Sequence, residues 1–426
     1  MIAAGLALSS ACTALLGGDQ DYYEVTGTGG AGGAGASGGA GGGGAGGDGG
    51  AGGGPPETCG AADECPRGDV CQVPVCDDGI CGFEPADAGT PCGGSGSCDD
   101  GACVCPSGEA YCEEACVDTA ADPLHCGACG HDCQGGACEA SACQPVALAE
   151  GFQNPVGIAL DAERVYWTNQ AVEGSVMAVS KRGGAPAALA TGVHSPWDIA
   201  VAGDYVYWSS YVLGYLSRSP IDRSDPVELT QQSKPVAIAV DATNLYWADA
   251  VGYTINKMSL AGGAEPERLV AEQNEPFDLA VDATHVYWTL DAETISKGMV
   301  LRAPIAGGEA ETLAADQRQP RGIAVDATHV YWVNQDGDVH KTQREGGGRD
   351  ITLVRAGLHA RSIAVDATHV YWTAPNDGAV RRTPLDGGVA ETFAEAQEMP
   401  WEIGLDETSV YWTNNVNPGR VMKRAK

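Results

Sequence analysis

Basic residues are almost absent from the first third of this 426-residue chain. Residues 1–145 contain 21 Asp and Glu but one basic residue, Arg67, whereas residues 146–426 contain 36 acidic and 23 basic residues. The formal net charge is -33, and no cluster of Lys or Arg offers a surface for phosphate groups, so we expect no binding of nucleic acid. Apolar runs of 18 residues are also absent, and an ordinary membrane-spanning helix is therefore not predicted.

Cysteine is missing from the last two thirds of the chain, because all 17 cysteines lie before residue 144. Sixteen of them fall between residues 59 and 143, and this even number allows eight disulfide bonds with no thiol left over. The unmatched cysteine is Cys12. Dense pairing of cysteines requires an oxidising compartment, which predicts an exported protein.

The N-terminus resembles the signal of a bacterial lipoprotein. Residues 2–11 are small and apolar, and Cys12 follows them; Ser9 stands where such signals usually have Leu, and no Lys or Arg precedes the apolar run. The resemblance implies a signal peptide over residues 1–11, acylation of Cys12 and a membrane anchor. The implied location is the outer membrane or cell surface of a Gram-negative bacterium, and a secreted protein without the anchor is the alternative.

Two segments separate this signal from the C-terminal region. Residues 12–56 form a predicted flexible tether, since 19 of the 29 residues from 26 to 54 are Gly and cannot bury apolar area. Residues 57–143 form a cysteine-rich module with few large apolar residues, which therefore depends on disulfides. Its spacing C-V-D-x3-D-x2-H-C-G-x-C-G-x2-C resembles the small repeat of the stigma-specific protein family. A zinc site at Cys126 and Cys129, with His125 and His131, is the alternative.

From residue 144 onward one motif recurs, Ile-Ala-Val-Asp-Ala-Thr-x-Val-Tyr-Trp. Its tryptophans are 39 to 44 residues apart; they are Trp167, Trp208, Trp247, Trp288, Trp332, Trp372 and Trp412. A period near 40 with this composition is typical of β-propeller blades. Each complete repeat divides into four short strands, a to d, separated by Asp and Gly turns and without a helical period.

The number of strands predicts the number of blades. Six complete repeats supply 24 strands, the seventh supplies strands a to c, and one more strand at 145–149 precedes the first repeat. This N-terminal strand is expected to complete the last blade and to remove an exposed sheet edge. The predicted fold class is an all-β, seven-bladed β-propeller over 144–426, with six blades as the alternative. A disulfide-rich, mostly irregular module and a disordered Gly-rich linker precede it.

The repeats resemble two known kinds of propeller. The sequences YWTN at 166–169 and YWAD at 246–249 are similar to the YWTD repeats of lipoprotein-receptor ectodomains, and P-x-G-I-A-V-D is similar to NHL repeats. Those families have six blades, and their fourth motif letter is usually Asp, whereas it varies here. The Tyr and Trp rings are expected to pack between blades. His285, His329 and His369 are expected in turns of different blades and not around one metal ion.

Function is expected where the repeats differ, and the residues just before strand a differ from blade to blade. The d–a and b–c loops share the face around the channel mouth of a propeller. The predicted ligand-binding rim consists of Trp197, Asp198, Phe277, Asp278, Arg321, Arg361, Trp401 and Glu402. Aromatic residues and arginines are frequent anchors of binding surfaces. Asp249 and Asn334, in the b–c loops, are expected on the same side.

Two functions are compatible with this rim. The first is a monomeric, non-catalytic surface protein that binds a protein or a glycan and needs no cofactor. The alternative is a metal-dependent enzyme of the lactonase or lyase type, in which Asp198, Asp278 and Glu402 bind a divalent cation such as Ca²⁺. The sequence contains no His-Glu-x-x-His motif and no credible nucleophile elbow, which favours the binding protein.

Overall fold

A computed structural model of the chain describes residues 58–261, 265–291, 297–355 and 359–426. The predicted signal peptide (1–11), Cys12 and the tether (12–56) lie outside these residues. The described residues belong to two compact units, 58–117 and Asp118–Lys426. Among them, no helix is long and apolar enough to cross a membrane.

The first unit consists of short hairpins held by disulfides. Its strands are β1 (Gln72–Asp77), β2 (Ile80–Pro85), β3 (Ser97–Asp99), β4 (Ala102–Val104), β5 (Ala110–Cys112) and β6 (Ala115–Val117), paired consecutively, and a 3₁₀ turn covers Ala62–Glu64. Its disulfides include Cys59–Cys76, Cys65–Cys81, Cys71–Cys98, Cys92–Cys103 and Cys105–Cys116. All sixteen cysteines from Cys59 to Cys143 are disulfide-bonded, which confirms the predicted disulfide module over the zinc alternative.

The second unit begins with a small disulfide-bonded segment, residues 118–143. It contains the hairpin of β7 (Cys138–Glu139) and β8 (Ala142–Cys143), and its disulfides include Cys126–Cys138 and Cys133–Cys143. Strand β9 (Val146–Phe152) follows directly.

The next twelve strands form three antiparallel sheets, which are blades 1 to 3. Blade 1 contains β10 (Pro155–Leu160), β11 (Arg164–Asn169), β12 (Gly174–Ser180) and β13 (Ala187–Val193). Blade 2 contains β14 (Pro196–Ala202), β15 (Tyr205–Ser210), β16 (Tyr215–Pro220) and β17 (Val227–Gln231). Blade 3 contains β18 (Pro235–Val240), β19 (Asn244–Asp249), β20 (Thr254–Ser259) and β21 (Glu267–Val270).

Blades 4 to 7 repeat this order of strands. Blade 4 contains β22 (Pro276–Val281), β23 (His285–Leu290), β24 (Gly298–Pro304) and β25 (Glu311–Gln317). Blade 5 contains β26 (Pro320–Val325), β27 (His329–Asn334), β28 (Asp338–Gln343) and β29 (Ile351–Arg355). Blade 6 contains β30 (Ile363–Val365), β31 (His369–Ala374), a 3₁₀ turn (Pro375–Asp377), β32 (Ala379–Pro384) and β33 (Glu391–Ala394). Blade 7 contains β34 (Pro400–Leu405), β35 (Ser409–Asn414) and β36 (Gly419–Ala425).

Blade 7 is completed by β9 from the start of the domain. β36 pairs antiparallel with β9, and Val421 lies opposite Ala149. The described residues thus form seven four-stranded blades, and both the predicted count and the predicted closure are confirmed. The closing strand is longer than predicted, since it extends to Phe152.

The Asp and Tyr of the repeated motif form the same hydrogen bond in most blades, and blade 4 shows the contacts of the motif clearly. Asp282 Oδ1 accepts hydrogen bonds from the backbone N–H groups of Thr284 and His285, and Oδ2 accepts one from the Tyr287 hydroxyl at 2.7 Å. Burial and this hydrogen bond raise the pKa of Tyr287. Trp288 is fully buried and donates its indole N–H to Gln273 at 2.9 Å. The recurring Asp, Tyr and Trp of each repeat therefore serve the turn and the core, as predicted.

Adjacent blades are also joined by polar side chains. The Thr413 hydroxyl accepts a hydrogen bond from Glu402 N in its own blade and donates one to Val156 O of blade 1 at 2.8 Å. At the opposite edge, Lys257 Nζ donates to Ile305 O at 2.8 Å, and Lys341 Nζ donates to Leu385 O at 2.7 Å. Each of the bonds to a carbonyl crosses from one blade to the next, so the ring is held by more than apolar packing.

Residues 118–143 pack against the end of the closing blade. His131 Nε2 lies 2.7 Å from Lys426 O, and Arg424 Nε donates to Cys143 O at 2.5 Å. Ala425 shares a buried apolar cluster with Cys126, Cys133, Cys138 and Cys143. The last part of the cysteine-rich sequence therefore belongs to the same compact unit as the propeller.

Candidate functional site

The variable residues at the start of each strand a meet at one end of the propeller. The b–c loops and the d–a connections lie at this end, because the four strands of each blade are antiparallel. Five predicted rim residues form a stacked group that we call the mouth cluster: Trp197, Phe277, Arg321, Arg361 and Trp401. They come from five different blades, so the ring architecture alone brings them together.

Arg361 is the centre of the mouth cluster. Its guanidinium carbon lies 3.6 Å from the centroid of the Trp401 ring, 5.6 Å from that of Phe277 and 5.8 Å from that of Trp197. A guanidinium at such distances is attracted by the electron-rich faces of the rings. Burial lowers the pKa of Arg361 to about 10, although Glu402 acts in the opposite direction, so the group stays charged at neutral pH.

Arg321 extends the cluster toward the loops of blades 4 and 5. Its guanidinium carbon lies 4.4 Å from the centroid of Phe277. Its Nη1 forms an ion pair with Asp291 Oδ2 at 2.8 Å, and its Nη2 donates to Gln335 Oε1 at 2.6 Å. Burial lowers the pKa of Arg321, and the Asp291 carboxylate opposes this change. Asp291 and Gln335 thus fix the position and orientation of the Arg321 guanidinium.

Two residues that the sequence analysis did not select extend the cluster on the other side. The Tyr211 ring lies 5.0 Å from the Trp197 ring, and Lys234 Nζ lies 4.3 Å from the centroid of Tyr211. Tyr211 belongs to the b–c loop of blade 2, and Lys234 belongs to the connection from blade 2 to blade 3. The only signal in the sequence was their position in loops of the same face, because neither belongs to the repeated motif.

The three predicted carboxylates are buried in the wall between blades. Asp198 is 2% exposed and Asp278 is 1% exposed. Asp198 Oδ2 accepts a hydrogen bond from Ile238 N of the next blade at 2.6 Å, and Asp278 Oδ2 accepts one from Ile323 N at 2.8 Å. Burial raises the pKa of Asp198 to about 6 and that of Asp278 to about 7, and the negative charge of Glu402 adds to both shifts. The charge of Glu402, on blade 7, therefore acts on the carboxylates of blades 2 and 4.

Glu402 is 1% exposed, and its Oε1 accepts a hydrogen bond from the Ser362 hydroxyl of blade 6 at 2.8 Å. In the described part of the chain, the only groups of three His, Cys, Asp or Glu ligand atoms within 4.8 Å of one another consist of cysteines. Those cysteines are disulfide-bonded. The carboxylates of Asp198, Asp278 and Glu402 therefore influence each other through space without forming a compact ligand set.

The two b–c loop residues have internal roles. Asp249 accepts hydrogen bonds from the backbone N–H groups of Ser233 and Lys234, in the connection from blade 2, and of Gly252, in its own loop, and so joins these two segments. The Asn334 side chain donates to Gln317 and is 3% exposed. Both lie at the predicted end of the propeller, where Asp249 organises loops and Asn334 is buried, with its Oδ1 lacking a hydrogen-bond partner among the described residues.

Comparison with known proteins identifies the fold. Neither a protein-family profile nor a curated protein sequence matches the chain. Virginiamycin B lyase from Staphylococcus aureus is similar in structure, with a TM-score of 0.56 and 12% sequence identity over 66% of this chain and 98% of that chain. A streptogramin B lyase structure gives 0.56 and 13% over 66% and 96%. A catalytically inactive variant of the S. aureus lyase with quinupristin gives 0.56 and 14% over 66% and 98%. At these identities the likeness shows a shared β-propeller fold.

Proposed function

We propose that the protein is an exported surface protein that displays its propeller for binding a protein or a glycan, without catalysis. The disulfides indicate an exported or extracellular protein. Acylation of Cys12 would anchor the chain in a membrane, and the Gly-rich segment would give the propeller reach. The proposed protein acts as a monomer and requires no cofactor for binding.

The mouth cluster carries this proposal. Its Trp, Phe and Arg side chains are half-buried, so their ring and guanidinium faces are already oriented before any ligand arrives. Preorganised aromatic and Arg side chains lose little conformational entropy on binding. Nε and Nη2 of Arg361 and Nε1 of Trp401 are buried donors without a hydrogen-bond acceptor among the described residues. Such unpaired donors are costly, and a ligand oxygen would satisfy them once the groups that cover them move aside.

The binding proposal is tested with the full mature chain on a glycan array and a protein array. Every ligand of the wild type is then titrated against Trp401→Ala and Arg361→Gln variants. A Val389→Ser variant is the control, because Val389 is 84% exposed at a c–d turn, at the opposite end of the propeller. We expect affinity to fall about tenfold or more in the mouth variants only. Equal binding by all variants, with unchanged circular dichroism, contradicts the proposal.

The anchor is tested separately. Cells that express the full chain are labelled with a radioactive or alkyne-tagged fatty acid, and the membrane fraction is compared with that of a Cys12→Ser variant. Incorporation into the wild type that disappears in the variant supports lipidation. Equal distribution of both forms in the soluble exported fraction favours the secreted protein.

A further inference from the structure

Five exposed apolar side chains lie beside the mouth cluster, on blades 1 to 3. They are Val172 (67% exposed), Val212 (57%), Leu213 (43%), Val251 (56%) and Tyr253 (45%). All five belong to the b–c loops of three consecutive blades, and we call them the apolar loop surface. The b–c loops of blades 5, 6 and 7, which the structure describes in full, contain no large apolar side chain with comparable exposure. The b–c loops of blades 1 to 3 are therefore more apolar than those of blades 5 to 7, although Met399, in the connection before blade 7, is also 38% exposed at this end.

Backbone hydrogen bonds join the three loops that carry the apolar loop surface, so that the surface forms one continuous ledge. Ser195 N donates to Ala171 O at 2.8 Å, and Tyr211 N donates to Ser195 O at 3.1 Å, which links the loops of blades 1 and 2. Ala250 N donates to Lys234 O at 3.0 Å, which links blade 3 to the connection from blade 2. Loops that are fixed in this way present their side chains with a small entropic cost on binding.

The chemistry of this ledge favours a protein partner. Branched aliphatic side chains gain binding energy by burying apolar area, and they offer no hydrogen bonds for sugar hydroxyl groups. Tyr211 connects the ledge to the mouth cluster through its contact with Trp197. The ledge thus widens the proposed binding face with a surface suited to apolar side chains.

The charges around the ledge specify the partner further. The exposed acidic residues Glu173, Glu272 and Glu275 lie in the loops at this end of blades 1 to 4. Lys234, a base of the same loops, lies over Tyr211, and residues 146–426 as a whole contain 36 acidic and 23 basic residues. Exposed glutamates beside an apolar surface are complementary to a partner in which basic residues lie beside apolar side chains.

We infer that the apolar loop surface docks a protein segment that presents apolar side chains flanked by Lys or Arg. This inference rests on the proposed function, because it assigns the class of partner to the same face. The defined probe is a synthetic amphipathic helix of 14 Leu and Lys residues, labelled with a fluorophore. A twin with Ser in place of Leu keeps only the charge, and a twin with Glu in place of Lys reverses it.

Binding of each peptide to the full mature chain is measured by fluorescence anisotropy at two salt concentrations. We expect the Leu/Lys peptide to bind the wild type, and to bind about tenfold more weakly after Val212→Ser, Leu213→Ser and Val251→Ser are combined. The Val389→Ser control should bind like the wild type, and the Ser twin and the Glu twin should bind weakly. Added salt should weaken binding of the Leu/Lys peptide, since exposed charges are screened.

The inference is overturned if the triple variant and the Val389→Ser control bind the peptide equally, or if the Ser twin binds as tightly as the Leu/Lys peptide. Either result means that the acidic chain attracts cations without using the ledge. If ligands found on the arrays are lost in Trp401→Ala but kept in the triple variant, the proposed function stands and this inference fails. If peptide binding is lost in the triple variant while arrays give no ligand of the mouth cluster, the inference stands and the proposed role of the mouth fails.

Discussion

Asp198 and Ile238 lie on neighbouring blades, and the Asp198 carboxylate accepts the Ile238 backbone N–H at 2.6 Å. Asp278 has the same relationship to Ile323, two blades further around the ring. The two carboxylates therefore connect blades at the base of the mouth cluster. Because they are buried and their pKa values are raised, the stability of the propeller should depend on their protonation.

The first prediction concerns pH between about 4 and 7. The pKa of Asp198 rises from an ordinary 3.8 to about 6, and that of Asp278 to about 7, so the folded state binds more protons than the unfolded state in this range. The free energy of unfolding should therefore fall as pH rises through the range. Each carboxylate lowers it by at most roughly 1.4 kcal/mol per pH unit. Urea unfolding of the full chain at several pH values measures this slope.

The matched variant is the double substitution Asp198→Asn and Asp278→Asn, which removes both titrating groups. The slope of its unfolding free energy between pH 4 and 7 should be flatter than that of the wild type. The slope is compared, and not the absolute stability, because Asn has one acceptor oxygen where Asp has two and the substitution itself changes stability. Identical slopes would contradict the role assigned to these carboxylates.

The second prediction concerns acid, where a different pair of carboxylates dominates. Burial alone would raise the pKa of Asp366 and of Asp406, but Lys426 and Lys181 lower them to about 2. Lys426 Nζ lies 2.8 Å from Asp366, and Lys181 Nζ lies 2.8 Å from Asp406. The stability that these ion pairs supply is present above about pH 4 and is lost as pH falls toward 2. In Lys426→Met, the free energy of unfolding should be lower than in the wild type above pH 4 and should depend less on pH below pH 4.

The third prediction concerns the hydroxyl at the closing interface. Thr413→Val keeps the shape of the side chain but removes the bonds to Glu402 N and Val156 O. A buried hydrogen bond of this kind contributes on the order of 1 kcal/mol, and the stranded partners add to the cost, so we expect a loss of about 1–3 kcal/mol. Thr312→Val, at an exposed site of β25, is the control and should be nearly neutral. Equal midpoints in urea for the two variants would show that the bridge adds nothing.

The blade count could be predicted because each repeat contains the residues that form its own turn and its own part of the core. The Asp turn, the hydrogen bond that the Tyr hydroxyl donates to this Asp, and the buried Trp are local features of one blade, as the contacts of Asp282 and Tyr287 show. The closure by β9 was also predictable, since an unpaired strand at each end of the domain leaves one simple pairing.

The depth of the rim residues was not predictable from the repeat alone. Trp197 and Asp198 are consecutive, yet one is in the mouth cluster and the other is buried between blades. Consecutive side chains of a strand point to opposite faces, but a register shift between Pro196 and Ile199 interrupts the regular pairing here, and the repeat does not reveal it. The contact of His131 with Lys426 is likewise invisible in the sequence, because 295 positions separate them.

The fourth prediction concerns divalent cations. In the described residues, no three carboxylate or imidazole ligand atoms lie within 4.8 Å of one another, so Ca²⁺, Mg²⁺ and Mn²⁺ should leave the thermal midpoint of the full chain unchanged. A cation at 100 times its Kd would add about 2.7 kcal/mol to the unfolding free energy, which is readily seen. EDTA should also have no effect. A shift that disappears in Glu402→Gln would instead revive the metal-dependent enzyme, and a screen for lactone hydrolysis would follow.

The fifth prediction is that the disulfide Cys133–Cys143 stabilises the propeller, although it lies outside the blades. Cys143 O accepts a hydrogen bond from the Arg424 side chain, and Cys133 and Cys143 both pack in one cluster with Ala425 of the closing strand. Replacing both cysteines by Ala leaves no free thiol and should lower propeller stability by about 1–3 kcal/mol, because the unfolded segment gains freedom and the packing weakens. All nine tryptophans lie after residue 166, so tryptophan fluorescence reports the unfolding of the propeller.

The control is the double variant Cys59→Ala and Cys76→Ala, which removes a disulfide of the other compact unit. Its tryptophan-detected midpoint should match that of the wild type, while the Cys133/Cys143 variant should unfold at a temperature several degrees lower. A common shift in both variants would mean that the two disulfides act on the chain as a whole and not through contact with the closing blade. An unchanged midpoint in both would show that β9 and β36 close the ring without support from residues 118–143, and that the hydrogen bond of Arg424 to Cys143 is energetically minor.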